Sequence, residues 1–70
     1  MKEDIPRLQR YLRKMFRNEA VRVVAQPKKK DMAEVFVGED FLATLYLDEE
    51  DGERCYQLQM AILELDLEGV

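Results

Sequence analysis

Residues 41–62 read Phe41-Leu42-Ala43-Thr44-Leu45-Tyr46-Leu47-Asp48-Glu49-Glu50-Asp51-Gly52-Glu53-Arg54-Cys55-Tyr56-Gln57-Leu58-Gln59-Met60-Ala61-Ile62. In the second half, Leu, Met, Ala and Glu favour helix, while Tyr56, Leu58, Met60 and Ile62 alternate with the period of a strand. The dipeptide in the middle decides. Asp51-Gly52 suits a two-residue type I′ hairpin loop, which sets residues whose numbers sum to 103 opposite one another. Leu47 then faces Tyr56, Leu45 faces Leu58, Ala43 faces Met60 and Phe41 faces Ile62, all on one side of the sheet, with Glu49 opposite Arg54 near the turn. A helix has no reason to continue its neighbour's register pair after pair. The stretch therefore predicts strands over 41–47 and 54–63, with a phase break at Ile62-Leu63 marking a bulge or a change of structure before Leu65 and Leu67.

Two more β-rich runs lie upstream, Val21-Arg22-Val23-Val24-Ala25 and Ala33-Glu34-Val35-Phe36-Val37, bounded by Pro27 to Asp31 and by Gly38-Glu39-Asp40. The second boundary allows two registers. Gly38-Glu39 suits a two-residue II′ turn, whereas keeping Val35 and Val37 on the face of Phe41 and Ala43 needs an odd-numbered loop. The choice leaves either Phe36, Leu42 and Tyr46 or Val35, Val37 and Leu42 on the second sheet face.

Upstream again, Ile5, Leu8, Leu12, Met15 and Phe16 recur at helical spacing, bordered by Tyr11, behind a capping Asp4 and a first-turn Pro6. This predicts an amphipathic helix over about 5–17 ended by Asn18, with Arg7, Arg10, Arg13, Lys14 and Arg17 on the arc away from the core. The fold class is α+β: one N-terminal amphipathic helix on a four-stranded antiparallel meander, a single domain over 1–70. One helix covers one face of a sheet. The surplus apolar face, drawn from Phe36, Leu42 and Tyr46, points to a protein partner, most simply a second copy forming a homodimer.

Charge is sorted by position. Residues 1–30 carry ten Lys/Arg against three Asp/Glu, and residues 31–70 carry Arg54 alone against twelve, so a chain of net charge −4 has halves of +7 and −11. Complementary patches on identical subunits would steer self-association. The same cations, Arg7, Arg10, Arg13, Lys14 and Arg17 on the helix with Lys28, Lys29 and Lys30 on the loop after Pro27, form a basic patch that could release counterions from nucleic acid. Against nucleic acid stand a pI near 4.8, no Trp, and no aromatic side chain within the basic arc to stack on bases. The order helix-then-strands is similar to that of double-stranded-RNA-binding domains, but those close with a second helix after three strands, which the register at Asp51-Gly52 opposes.

Catalytic chemistry finds little to work with. The chain has no histidine, no serine, one threonine (Thr44) and one cysteine (Cys55), which removes the Ser-His and Cys-His nucleophile pairs, Cys/His zinc sites and any internal disulfide. Cys55 lies beside the acidic turn, where negative charge disfavours the thiolate, and reads as a small strand residue. Aligning Gly52 with the invariant glycine of a calcium-binding EF-hand loop puts Leu47 and Leu58 where the first and last acidic ligands belong, so Asp48 to Glu53 reads as a solvated acidic turn. No enzyme activity, cofactor, metal or small-molecule substrate is expected. No apolar run is long enough to span a bilayer and the charged N-terminus is unlike a signal peptide, so the expected location is the cytoplasm.

From Arg22-Val23-Val24 through Ala33-Glu34-Val35-Phe36-Val37-Gly38, Asp48-Glu49-Glu50-Asp51-Gly52-Glu53 and Gln59-Met60-Ala61-Ile62-Leu63, the chain resembles a family of short alphaproteobacterial proteins classed as a domain of unknown function. The resemblance spans nearly the whole length and implies a free-standing bacterial cytoplasmic protein, with no functional residues to carry over. The expected function is a non-catalytic protein-interaction module, self-associating through the second sheet face; the alternative is a small RNA-binding accessory protein using the basic helix face and lysine loop.

Overall fold

The computed structural model of the chain describes residues 1–50 and 52–70. A 3-10 turn over Lys2–Asp4 leads into helix α1 (Ile5–Phe16), followed by β1 (Val21–Ala25), β2 (Met32–Val37), β3 (Asp40–Glu50), β4 (Glu53–Gln59) and a second 3-10 turn at Glu64–Leu67. The strands form one antiparallel sheet in the order β1-β2-β3-β4, the expected α+β meander. No helix among the described residues is long and apolar enough to cross a membrane.

The hairpin register is the one that Asp51-Gly52 implies. Leu45 pairs with Leu58, Leu47 with Tyr56, Glu49 with Arg54 and Glu50 with Glu53. Gly52 carries a φ of 78°; Asp51 lies outside the described residues. At the other turn the structure contains both registers that the sequence allows. Gly38, with a φ of 62°, opens a two-residue connection that pairs Val37 with Asp40 and Phe36 with Phe41. The register then shifts, so that Val35 meets Ala43 and Ala33 meets Leu45. Leu42 is the extra residue of this β-bulge. The bulge keeps a tight turn and still puts Ala33, Val35, Ala43 and Leu45 on the buried face, with Leu42 packed against the same core. Leu42 is therefore not on the second sheet face, where both alternatives had placed it.

β4 stops at Gln59, opposite Thr44, rather than running to residue 63, so the ladder ends beside the bulged part of β3 and the expected pairs Ala43 with Met60 and Phe41 with Ile62 are not formed.

The core is small: Leu12 of α1 with Val21, Val23, Ala33, Val35, Ala43 and Leu45, flanked by Ile5, Leu8 and Tyr56. Met15 and Phe16, expected inside, are 59% and 48% exposed. The reason is the helix's position at the sheet margin. Gly38 donates to the Ala20 carbonyl and Gln26 to that of Met32, so the alternation of an antiparallel ladder points the backbone groups of Val21 and Val23 outward. Two helix side chains meet them: Gln9 Oε1 accepts from the Val23 N–H at 2.9 Å, and Arg13 Nε donates to the Val21 carbonyl at 2.8 Å. Arg13 thus belongs to the fold and not to the solvent-facing arc, and the last helical turn lies beyond the sheet. The caps differ as well. Asp4 is helical and makes no capping bond, and Arg17, at a φ of 53°, takes the left-handed position expected of Asn18. Asn18 instead accepts the Ala20 N–H through Oδ1 at 2.8 Å.

Two stability measurements follow. Gly52→Val leaves room for the new side chain but forces a β-branched residue to positive φ, and should cost about 1–3 kcal/mol in urea denaturation. Arg13→Ala should cost about 1–2 kcal/mol through the unmet carbonyl, against less than about 0.5 kcal/mol for Arg10→Ala on the exposed arc; equal effects would contradict the edge contact.

Candidate interaction surfaces

The one buried charged side chain among the described residues is Asp4. Its Oδ1 accepts from Arg7 at 2.7 Å, and its Oδ2 accepts from Arg54 at 2.8 Å and from the Tyr56 hydroxyl at 2.6 Å. The Arg54 guanidinium also lies 5.9 Å from the centre of the Tyr56 ring. The Tyr56 hydrogen bond lowers the Asp4 pKa most; the Arg7 hydrogen bond and the Arg54 charge add to it, against the cost of burial, and hold it at about 2 instead of 3.8. Reciprocally, the Asp4 charge raises Arg54, and the hydrogen bond to Asp4 raises Tyr56. A perturbed carboxyl is a candidate catalytic group, but both oxygens here are spent on internal donors. The cluster fastens the start of α1 to the tip of the β3–β4 hairpin. Arg54 was the legible clue: the only cation after residue 30 shares a strand face with Tyr56 and Leu58, where a buried acid can reach it.

On the second sheet face, Phe36 and Phe41 meet edge to face at 5.7 Å, and Arg22 lies 4.9 Å above the Phe36 ring while both its Nε and Nη2 donate to the Gly38 carbonyl. Phe36 is thus half-covered by its own chain. Phe41 and Tyr46 are exposed. With Leu42 turned to the core, the three-residue patch expected on this face is reduced and mixed with polar side chains.

The basic residues are dispersed. Arg7 is held by Asp4 and Arg13 by Val21, while Arg10, Lys14 and Arg17 remain exposed on α1. Lys28, Lys29 and Lys30 stand on the β1–β2 connection, where Lys29 and Lys30 join Met1, Lys2, Glu3 and Met32 around an open groove of about 520 Å³ at the opposite end of the helix from Arg17. Around the acidic hairpin, no three carboxylate or thiol groups among the described residues converge on a metal position. Cys55 is exposed on β4 across from Asp48 and accepts a 3.4 Å hydrogen bond from Gln57 Nε2.

Further apolar surface lies beyond β4, in a segment whose first residues, 60–63, sequence periodicity had assigned to the strand. Every residue from 60 to 70 is exposed, including Met60, Ile62, Leu63, Leu65 and Leu67. The radius of gyration of 13.1 Å exceeds the roughly 11 Å of a compact chain this long, in keeping with a segment that does not pack back. The open margin of β4 lies beside it. Leu47 donates to the Asp31 carbonyl, so odd residues of β3 serve β2 and even ones serve β4, and the backbone groups of Arg54, Tyr56 and Leu58 point away from the sheet.

These features define a small α+β domain with a capped edge, an open edge and an uncovered apolar tail. Residues 4–66 match the family described as Protein of unknown function (DUF3126), and the chain belongs to that family. No curated protein and no solved structure matches it.

A carboxyl whose pKa falls on folding contributes stability that is present above its unfolded value and is lost as pH falls through the folded value. Asp4→Asn should therefore be less stable than the wild type at pH 7, and the gap should close between about pH 4 and about pH 2. Urea midpoints across that range would show it; a gap independent of pH would mean that the ionised Asp4 contributes nothing.

Proposed function

We propose that this chain is a non-catalytic protein-interaction module that associates with itself, in a bacterial cytoplasmic setting. The observation that carries the reading is the balance of apolar surface. Among the described residues thirteen large hydrophobic side chains are exposed, against seven core side chains buried. A domain this small depends on burial, and an excess of exposed over buried apolar side chains favours a covering partner. The second sheet face, with Phe36, Phe41 and Tyr46, can contribute, but the larger share lies in residues 60–67 and on α1. Opposite net charges in the two halves of the sequence favour an oriented encounter between copies.

The competing reading, an RNA-binding accessory protein, draws on Arg10, Lys14, Arg17 and Lys28 to Lys30. It is weakened by the internal engagement of Arg7 and Arg13. Light scattering on the full chain at micromolar concentration should return twice 8.3 kDa, with no nucleic acid in the 260/280 nm absorbance ratio. A monomer that shifts RNA at physiological salt, and ceases to when Lys28, Lys29 and Lys30 are changed together to Glu, would overturn the proposal in favour of RNA.

A further inference from the structure

Two uncovered surfaces of this chain complement each other. The first is the segment after β4, where Leu63, Leu65 and Leu67 alternate with Glu64, Asp66 and Glu68 and all are exposed. It carries no cation. The second is the outer side of α1. Tyr11 and Met15, one turn apart, are 58% and 59% exposed, and beside them runs the exposed row Arg10, Lys14 and Arg17. One surface offers leucines interleaved with carboxylates, the other an aromatic ring and a thioether flanked by cations.

Resting on the self-association reading, we infer that residues 60–68 of each chain dock on the exposed side of α1 in a second copy, a reciprocal exchange about a two-fold axis. The sheet order separates donor and acceptor within one chain. The start of α1 is tied to β4 through Asp4, but its later turns, which carry Tyr11 and Met15, are bonded through Gln9 and Arg13 to β1, the margin opposite the one from which the tail leaves. A two-fold axis brings each tail to the other copy's helix and covers both apolar surfaces at once, with the same patches used twice. The leucines supply the affinity through burial. The three carboxylates against three cations set orientation and exclude the tail from the acidic hairpin of either copy.

Charge reversal tests this on the full-length chain. One variant carries Arg10→Glu, Lys14→Glu and Arg17→Glu, the other Glu64→Lys, Asp66→Lys and Glu68→Lys; all six positions are exposed, and circular dichroism should confirm unchanged folds. Each variant alone should dimerise with a dissociation constant raised about tenfold or more. Mixed in equal amounts, the two should form a heterodimer of wild-type strength, because each tail then finds a helix of opposite charge. A wild-type dimer unmoved by either reversal would overturn the exchange and leave self-association standing. Wild-type monomers would overturn both, and variants that recover only when all six changes share one chain, never on mixing, would place the tail on its own helix.

Discussion

One extra residue in β3 governs this structure. Without Leu42 as a bulge, the tight turn at Gly38-Glu39 would carry its pairing down the whole of β2 and β3 and turn Ala33 and Val35 to solvent, since a one-residue slip exchanges the two faces of a strand. With it, the turn keeps its geometry and the small residues Ala33 and Ala43 reach the core beside Val35 and Leu45. The β3–β4 ladder, whose register follows from the turn at Gly52, ends at Thr44 and Gln59, short of this kink.

The Asp4 cluster solves a different problem. A helix lying along one margin needs a hold on the rest of the sheet, and the hydrophobic contacts of Ile5, Leu8 and Leu12 are few. A carboxylate shared by Arg7, Arg54 and Tyr56 joins groups some fifty residues apart. Asp4 is the buried member, and Arg7 and Arg54 stand largely in solvent, so loss of a donor leaves the carboxylate under-compensated whereas loss of Asp4 strands no buried cation. The cluster's position at the hairpin tip also steadies the point from which the long β3–β4 ladder projects.

Much of this architecture was legible because the patterns were redundant. Leu45 with Leu58 and Leu47 with Tyr56 announced the hairpin through alternation and turn chemistry together, and the apolar spacing of Ile5, Leu8 and Leu12 announced the helix. What was hidden depended on tertiary placement. Periodicity gave Met15 and Phe16 to the core, but it cannot tell how far a helix extends past a sheet margin. Arg13 read as solvent-facing because its partner is a backbone carbonyl, which has no signature in side-chain pattern. At Gly38 two registers fitted the sequence equally, and their coexistence through a bulge lies outside any rule that assumes a uniform ladder. The candidate surface was half visible: Tyr46 is exposed, Leu42 turned inward, Arg7 and Arg13 are engaged within the fold, and residues 60–63 were taken for strand because their alternation is real.

Sheets that are open along both margins can add strands without limit, which is the route to fibres. Here the two margins differ. Gln9 takes the Val23 N–H, Arg13 the Val21 carbonyl and the Asn18 carbonyl the Val21 N–H, so the first part of the β1 margin is engaged by its own chain, while the backbone groups of Arg54, Tyr56 and Leu58 on β4 point outward. Accretion of a further strand is therefore easier along β4 than along the start of β1, and two side chains of the first helix make the sheet's two sides unequal.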